Sequence, residues 1–511
     1  MTEKGMVYII GAGPGDPGLI TLRGAECIAE ADVIVYDYLV APELLGHAGK
    51  DARLIYAGKQ GGRHTLSQHE INDLLVAEAS KGAIVARLKG GDPFIFGRGG
   101  EEAEALHEKG IPFEVVPGIS SAAAVPAYAG IPLTHRSHTV SVAFVTGHED
   151  PTKKKSDLHW PTLAGIGTLV FLMGVKNLPA IAENLIGAGK DPKTPAALIR
   201  WGTTPGQRTL TGTLSDIAQK AEKSGFAPPS VFVVGTVVGL RETMNWFETR
   251  PLFGRGIVIT RPEKQAEELA RRLRIRGARV IHFPVIEIVP PADWTPLDRA
   301  MERLGDYRWI IFTSANGVAF FFKRLRERGE DVRELKGVKI ATIGPATASA
   351  VEALGINVDL VPEEFISEGV VRAFAGHDLR GCRILLPRAA EARDVIPDGL
   401  AEMGATVDVA AAYRTIKADR DPAKLIELFK NGEVDAITFT SPSTVVNFLK
   451  IMGKDFRLPS RVKVATIGPV TEAAAKRAGL PVHIRQQRYT IPELVDEITA
   501  SFGAVKEGRR S

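Results

Sequence analysis

A glycine-rich loop near the start of the chain has residue types that could hold a ligand. Residues 7–21 read VYIIGAGPGDPGLIT, a short apolar run followed by the loop and a predicted helix. Gly11 and Gly13 resemble the start of a dinucleotide-binding loop. However, Asp16 and Pro17 stand where that loop needs its third glycine, and a carboxylate there would repel a pyrophosphate. The loop therefore favours a flat, largely uncharged ligand, with a purely structural turn as the alternative.

A second glycine motif combines close backbone approach with an apolar wall. Residues 87–102 read RLKGGDPFIFGRGGEE. Gly90 and Gly91 follow a predicted strand and let a ligand approach the backbone. Asp92 can accept hydrogen bonds, and the Pro-Phe-Ile-Phe run after it could line an adenosine or a similar planar group. The alternative is a tight strand-to-helix turn, with the closing pair of glutamates in a first helical turn.

Hydroxyl residues recur at helix starts in the second half of the chain. IIFTSANGVAFFFKRL recurs as AITFTSPSTVVNFLKIM at a spacing of 127 (440 − 313), and KIATIGPATASAVEALGI recurs as KVATIGPVTEAAAKRAGL at a spacing of 124 (468 − 344). The repeat predicts two similar α/β lobes. Helix N-capping explains part of the pattern, and a shared ligand cleft explains its presence in both lobes. The hydroxyl residues concerned are Ser314, Thr347, Ser441 and Thr471.

The elements that position these motifs alternate throughout. Runs such as DVIVYD and FEVVPG alternate with helical stretches such as 67–81 and 99–109, which predicts α/β layers. Leu240–Gly256 separates two halves, with the main boundary near Arg250. Pro132 ends one segment of the first half before a new strand near Val140, which predicts a hinge between two lobes.

Composition limits the function classes. A chain of 511 residues exceeds what one core usually serves, and a net charge of +4 is too slight for a nucleic-acid binder. Cys27 and Cys382 have no nearby ligand set, so they indicate buried apolar side chains and no metal site. No run approaches the roughly 18 apolar residues of a membrane span, and no signal-peptide pattern opens the sequence. We expect a cytoplasmic protein without a membrane or nucleic-acid partner.

The first half resembles the tetrapyrrole methylases that use S-adenosylmethionine. GAGPGD, YDYLV, GKQGGRH, VPGISSA, TGH and VFLMG occur in the family's order. RLKGGDPFIFGRGGEE and YAGIPLTHR point to uroporphyrinogen-III C-methyltransferase, although a sibling methylase of the cobalamin pathway or of diphthine synthesis stays a rival. The resemblance implies Asp37 as catalytic base and Lys59 as acid. It also implies a cofactor site lined by Pro14, Gly90, Gly91, Asp92, Ile95, Ser120, Ser121, Met173 and Gly202.

From the residues alone, Asp37 could equally be a turn-capping acid or, in the dinucleotide interpretation, a ribose-binding acid. Lys59 could be a solvated surface charge. Acid–base roles depend on geometry, so both alternatives stay open at this point.

The second half resembles uroporphyrinogen-III synthase, a two-lobed enzyme without metal or cofactor. VITRP, FTSANGV, IGPATA, VAAYRT, FTSPSTV and IGPVTEAA carry the resemblance. It implies that hydroxymethylbilane, with eight carboxylates, is cyclised with inversion of ring D. Arg261 and Arg388 are 127 residues apart (388 − 261) and suit carboxylates, as do Ser314, Thr347, Ser441 and Thr471. Tyr413 is the candidate donor to the departing hydroxyl, with a packing role in the strand as the alternative.

Together these resemblances predict a bifunctional enzyme that makes uroporphyrinogen III and methylates it twice to precorrin-2. A methyltransferase fused to a non-catalytic tetrapyrrole sensor is the alternative, and a homodimer through the methyltransferase half is expected. The predicted domains are 1–245, with lobes 5–134 and 139–245, and 256–503, with lobes 256–287 plus 416–503 and 288–415. A linker (246–255) and a polar tail (504–511) complete the assignment.

Overall fold

The structure is a computed structural model that describes residues 5–58, 66–148 and 157–503. The chain forms two compact units. The N-terminal unit contains the chain up to Gly256 with Arg272–Arg279 and the segment from Thr499, and the C-terminal unit contains Ile257–Arg271 and Val280–Ile498. Both units are α/β, which confirms the predicted fold class.

The first lobe of the N-terminal unit is a parallel sheet with helices on its faces. Its elements are β1 (Val7–Gly11), α1 (Leu22–Glu30), β2 (Val33–Tyr36), β3 (Arg53–Tyr56), α2 (Gln68–Ser80), β4 (Val85–Lys89), α3 (Gly99–Glu108), β5 (Phe113–Val116) and α4 (Ser121–Tyr128). The strand order is β3-β2-β4-β1-β5, and all the pairings are parallel. The motifs that follow β1, β2, β4 and β5 therefore meet at one edge of the sheet.

The helices of this lobe follow from local sequence signals. Ser67 and Glu70 form a reciprocal capping box at the start of α2, which explains why the helix begins there. Ile71 and Leu75 on α2 are buried in a cluster that includes Val85 of β4. Each such aliphatic side chain contributes about 1.5–3 kcal/mol on burial.

The second lobe is a mixed sheet. Its elements are β6 (Val142–Thr146), α5 (Trp160–Ala164), β7 (Thr168–Leu172), α6 (Leu178–Gly187), β8 (Pro195–Arg200), β9 (Arg208–Thr213), α7 (Ile217–Lys223), β10 (Ser230–Val234) and α8 (Arg241–Met244). The order is β6-β7-β10-β8-β9, in which only β6 and β7 pair in parallel. Within the predicted linker, Trp246 donates through Nε1 to the carbonyl of Ala127.

From Gly256 onward the elements build two further sheets. They are β11 (Gly256–Ile259), α9 (Glu263–Ile275), β12 (Arg279–His282), β13 (Ile286–Val289), α10 (Thr295–Met301), β14 (Trp309–Phe312), α11 (Ala315–Glu327), β15 (Lys339–Thr342), α12 (Pro345–Glu352), α13 (Ser367–Ala373), β16 (Arg383–Ala389), α14 (Val395–Glu402), β17 (Thr406–Lys417), α15 (Ala423–Lys430), β18 (Ala436–Phe439), α16 (Pro442–Met452), β19 (Lys463–Thr466), α17 (Pro469–Arg477) and α18 (Ile491–Gly503).

The sequence repeat reappears as a repeat of sheet topology. One sheet has the order β12-β11-β18-β19, and the other has β13 added to the order β17-β16-β14-β15. β11 and β16 begin 127 residues apart (383 − 256), and so do β14 and β18 (436 − 309). In position, β12, β11, β18 and β19 of the first sheet therefore correspond to β17, β16, β14 and β15 of the second. The additional strand β13 pairs antiparallel with the end of β17.

No helix among the described residues is both long enough and apolar enough to cross a membrane.

Candidate functional sites

Three strand ends of the first lobe meet through glycine backbones. A Cβ on Gly11 would lie 2.4 Å from Cα of Gly118 and 2.8 Å from the carbonyl oxygen of Gly91. Gly13 and Gly91 exchange backbone hydrogen bonds of 3.2 and 2.7 Å. Gly91 has φ 73°, which favours glycine. Side chains are excluded here, so the backbone forms the floor of a cradle at the edge of the sheet.

Asp92 holds the loop that follows this floor. Its Oδ1 accepts from the backbone N–H groups of Phe94 (2.8 Å) and Ile95 (3.1 Å), and its Oδ2 accepts from the N–H of Gly118 (3.0 Å). Asp92 is buried, whereas Phe94 and Ile95 are exposed. The carboxylate therefore shapes the loop and presents an apolar wall.

The remaining candidates for the cofactor site arrive from three other segments. Ser120 caps α4 by accepting from the N–H of Ala122 at 3.2 Å, and a Cβ on Gly91 would lie 3.6 Å from the Ser121 nitrogen. Gly202 packs against Val125, where a Cβ would lie 2.4 Å from a methyl group. The loop that contains Gly90, Gly91, Asp92 and Ile95 thus lies beside Ser120 and Ser121 at the start of α4. The segment at Gly202 packs on Val125 of the same helix. Pro14 is half-buried in the loop after β1.

Backbone strain outside glycine is a feature of the N-terminal unit. Among the described residues, the five non-glycine residues with positive φ all lie in the N-terminal unit. Met173, directly after β7, is one of them, with φ 58° and an exposed side chain. The full set is Phe96, Arg98, Met173, Trp201 and Thr203. Such backbone persists where the surroundings fix it, and it is frequent at ligand sites.

Asp16 has a structural role that explains its place in the opening loop. Its Oδ1 accepts from the N–H of Gly18, and its Oδ2 accepts from the Tyr128 hydroxyl, both at 2.8 Å. Its own N–H donates to Oγ1 of Thr203 at 3.0 Å. Burial and the Asp16 carboxylate raise the pKa of Tyr128. The carboxylate thus ties the loop to α4 and is not available to a phosphate site.

Asp37 lies directly after β2 at the cradle edge. Arg87 donates through Nη2 to Asp37 Oδ1 at 2.8 Å, and 28% of the Asp37 side chain is exposed. The following loop packs on the second glycine motif, because a Cβ on Gly90 would lie 2.7 Å from Leu39 Cβ. Asp37 is therefore an oriented carboxylate with an open side. Lys59, the predicted acid, lies outside the described residues.

A buried charge network lies beneath Asp37. Arg87 Nε is 3.2 Å and Lys89 Nζ 2.6 Å from Oε1 of Glu102. All three side chains are almost completely buried, and Gln68 also donates to Glu102 Oε1 at 3.2 Å. Burial lowers the pKa of Lys89, and the neighbouring Arg87 guanidinium adds to that effect.

No sequence motif assigns a role to Arg87, Lys89 or Glu102. The signal was present: two cations occupy alternate positions of the otherwise apolar strand VARLK, and Glu102 is one helical turn from the buried Leu106.

In the C-terminal unit, Tyr413 is buried and hydrogen-bonded. Its hydroxyl lies 2.9 Å from Oγ of Ser314, which caps α11 by accepting from the N–H of Gly317. Burial raises the pKa of the Tyr413 phenol, against a smaller opposite effect of hydrogen bonds from Ser314 and Asn316. Asn316 in turn accepts from Gln265 at 2.8 Å. The phenol therefore stays protonated at neutral pH, as a donor must.

The two predicted carboxylate anchors differ in their surroundings. Burial lowers the pKa of Arg261, which follows β11. Arg388, at the corresponding place in β16, donates to the carbonyl of Arg393 at 2.7 Å and to the carboxylate of Asp394. Arg388 is thus already paired with an exposed acid, which a substrate carboxylate would have to replace.

The four hydroxyl residues lie at helix starts, as their pattern predicts. Ser314 and Ser441 cap α11 and α16, and Thr347 and Thr471 are buried in the first turns of α12 and α17. The structure adds an aromatic pair: Phe365 and Tyr489 each stand 21 residues after the glycine that precedes α12 or α17 (365 − 344; 489 − 468). Each ring lies close to that glycine, and both rings are exposed.

Within the described ranges, no group of three or more His, Cys, Asp or Glu side chains is arranged to hold a metal ion.

Comparison with known proteins assigns a family to each half. The model for tetrapyrrole (corrin/porphyrin) methylases matches residues 6–218, and the model for uroporphyrinogen-III synthase HemD matches residues 267–496.

Individual relatives cover the whole chain or its first half. The porphyrin biosynthesis protein HemD of Ruminiclostridium josui is 40% identical over 97% of this chain and 98% of its own length. The uroporphyrinogen-III C-methyltransferase of Priestia megaterium is 55% identical over 46% of this chain and 98% of its own length. The S-adenosyl-L-methionine-dependent uroporphyrinogen III methyltransferase of Methanosarcina barkeri is 54% identical over 47% of this chain and 95% of its own length.

Proposed function

Because the chain belongs to the family of porphyrin biosynthesis proteins that join a tetrapyrrole methylase to a uroporphyrinogen-III synthase, we propose that it catalyses two consecutive steps. The C-terminal half cyclises hydroxymethylbilane to uroporphyrinogen III with inversion of ring D. The N-terminal half methylates that product twice, giving precorrin-2. The observation that carries the proposal is one relative matched over nearly the full length of both chains.

In the methylase half, S-adenosylmethionine supplies an activated methyl group as a sulfonium. The glycine floor and the Asp92 loop fit a flat adenosine, because backbone replaces side chains there and Ile95 is exposed beside it. Pro14, Ser120, Ser121, Met173 and Gly202 complete the binding surface. Holding donor and pyrrole in one orientation is a large part of such catalysis. Asp37 accepts the proton lost from the methylene bridge beside the methylated pyrrole, and Lys59 acts as acid.

In the synthase half, the helix starts and guanidinium groups bind the substrate's carboxylates. Ser314, Thr347, Ser441 and Thr471 lie beside backbone N–H groups of helix N-termini, which favour anions. Arg261 and Arg388 add charge-assisted anchors. Tyr413 donates its proton to the departing hydroxyl, which leaves as water when the macrocycle closes.

The test is anaerobic incubation of the pure protein with hydroxymethylbilane and S-adenosylmethionine, followed by chromatography and mass analysis of isomer and methyl count. A dimethylated type-III product is expected. A type-I macrocycle, the product of spontaneous closure, would instead favour a tetrapyrrole sensor as the second half. Methylation of a more methylated corrinoid in place of uroporphyrinogen III would identify a sibling methylase.

Replacing Asp92 with asparagine tests the cofactor loop. The new amide would place an N–H donor against the N–H of Gly118, so we expect a loss of about 2 kcal/mol in the free energy of unfolding. The affinity for S-adenosylmethionine should fall about tenfold by calorimetry, about 1.4 kcal/mol. Asp191 is a matched control, because its carboxylate accepts from the N–H of Lys193 in an exposed turn that asparagine also supports. Equal affinities in wild type and Asp92→Asn would remove Asp92 from cofactor binding.

The oligomeric state is proposed as a homodimer through the methyltransferase half. β6 is an edge strand on which Val142 and Phe144 are exposed at alternate positions, and Val140, two residues before the strand, is 96% exposed. An apolar edge of this kind is normally covered. Phe144→Asp should weaken dimerisation at least about tenfold in sedimentation experiments. Phe113→Asp, on the edge strand β5, is the control, and equal effects of the two substitutions would place the interface elsewhere.

The proposed domains are 1–245 and 256–503 with the lobes given above. The boundary of the compact units after Gly256 and two separate family matches support the main division, while Arg272–Arg279 and the segment from Thr499 group with the N-terminal unit. A cytoplasmic location stays a prediction from composition.

A further inference from the structure

We propose that Arg87 and Glu102 are positioning residues for the methyl-transfer reaction, acting through Asp37. The inference rests on the proposed function, in which Asp37 is the base. Its starting point is a chain of contacts from the exposed carboxylate into the core: Asp37 Oδ1 to Arg87 Nη2 at 2.8 Å, and Arg87 Nε to Glu102 Oε1 at 3.2 Å.

The guanidinium is held on three sides. Nη1 of Arg87 donates to the carbonyl of Leu88 at 3.2 Å, Nε faces Glu102 and Nη2 faces Asp37. A planar group with three fixed contacts cannot rotate, so it fixes Asp37 Oδ1. Among the described residues, the structure gives Asp37 Oδ2 no hydrogen-bond donor. Oδ2 is therefore the atom that takes the proton when a C–H bond of the methylene bridge beside the methylated pyrrole breaks and its electron pair neutralises the iminium that methyl transfer leaves.

Glu102 keeps this arrangement in place. It is fully buried, and its Oε1 is shared by Arg87, Lys89 and Gln68. Without its negative charge, two buried cations would compete for Asp37 alone, because Lys89 lies two residues from Arg87 on the same face of β4. The Asp37 carboxylate would then lose the orientation that its proton transfer requires.

The chain offers a matched control for a buried carboxylate between two cations. Glu78 is buried near the amino end of β3, paired with Arg53 and with Lys81 at 3.0 Å, and makes no contact with the cradle. Glu78→Gln removes a buried carboxylate from the same lobe, but the side chains of Arg53 and Lys81 are 59% and 66% exposed, whereas those of Arg87 and Lys89 are 2% and 4% exposed. Glu102→Gln should therefore cost more stability, and thermal unfolding of both variants is measured beside their activity.

The experiment measures kcat, KM and cofactor affinity of the full-length protein for uroporphyrinogen III methylation. Glu102→Gln should lower kcat about tenfold or more, with KM and the S-adenosylmethionine affinity within about twofold of wild type. Glu78→Gln should keep kcat within about twofold. Arg87→Lys retains the positive charge but loses the planar guanidinium, which contacts Asp37 and Glu102 at the same time. This variant should lose activity like Glu102→Gln.

A double variant separates this inference from the proposed function. Asp37→Asn with Glu102→Gln should be no slower than Asp37→Asn alone if Glu102 acts through Asp37. Three results would overturn the inference. They are additive losses of kcat in the double variant, full activity in Arg87→Lys, and equal losses of kcat in Glu102→Gln and Glu78→Gln. So would an active Asp37→Asn variant, whereas absence of methyl transfer by the wild-type protein would overturn the proposed function itself.

Discussion

Asp37→Asn should lower the rate of methyl transfer about a hundredfold or more while leaving the affinity for S-adenosylmethionine nearly unchanged. Asparagine keeps the size of the side chain and can still accept from Arg87, so the loop after β2 should retain its conformation. It cannot accept a proton at neutral pH. The measurement is single-turnover methylation of uroporphyrinogen III, with cofactor binding followed separately by calorimetry.

Asp32 provides the control at the other end of the same strand. Its carboxylate accepts from the N–H of Ile84 at 2.9 Å, just before β2 begins. Asp32→Asn should leave methyl transfer within about twofold, because asparagine can still accept that bond. Unchanged turnover in Asp37→Asn would assign the proton to another group and leave Asp37 as a residue that caps the loop.

Tyr413→Phe should slow formation of uroporphyrinogen III about a hundredfold, because a general acid typically contributes that much or more. Phenylalanine preserves the stacking on Phe320 and removes the hydroxyl 2.9 Å from Ser314. The spontaneous type-I product should then increase relative to the type-III product. Chromatographic separation of the two isomers gives both rates in one experiment.

Tyr307 is a matched control in the same unit. It is also buried, and its hydroxyl donates to Asp408 at 2.6 Å. Tyr307→Phe should reduce thermal stability without changing the isomer ratio. If the two variants lose stability equally and both cyclise the bilane at the wild-type rate, Tyr413 is a packing residue.

Local patterns predicted the positions of the methylase site because its motifs follow neighbouring parallel strands. The motifs after β1, β2 and β4 share one edge of the sheet, so the residues that the family resemblance implies, such as Asp37 and Gly90, lie at that edge. The bond from Tyr128 to Asp16 joins residues 112 positions apart, and no local signal predicts it. That bond accounts for the acid in the loop.

Side-chain pairing was predicted less well than backbone placement. The 127-residue repeat correctly placed Arg261 and Arg388 after or within corresponding strands, β11 and β16. It could not predict that Asp394 neutralises Arg388, since repeat spacing carries no information about partners that differ between the lobes. Likewise, the acidic pair at the start of α3 fitted an exposed helix start, yet Glu102 is buried because two cations in β4 face it.

The interleaved strands of the C-terminal unit impose an order on folding during synthesis. All strands of the sheet β13-β17-β16-β14-β15 lie between residues 286 and 417, so they leave the ribosome as one continuous stretch. In the other sheet, Ile257 of β11 pairs with Ala436 of β18, 179 residues later (436 − 257). Contacts of such long range form slowly. The lobe that carries Tyr413 can therefore fold first, while β11 and β12 wait for the C-terminal strands to be translated.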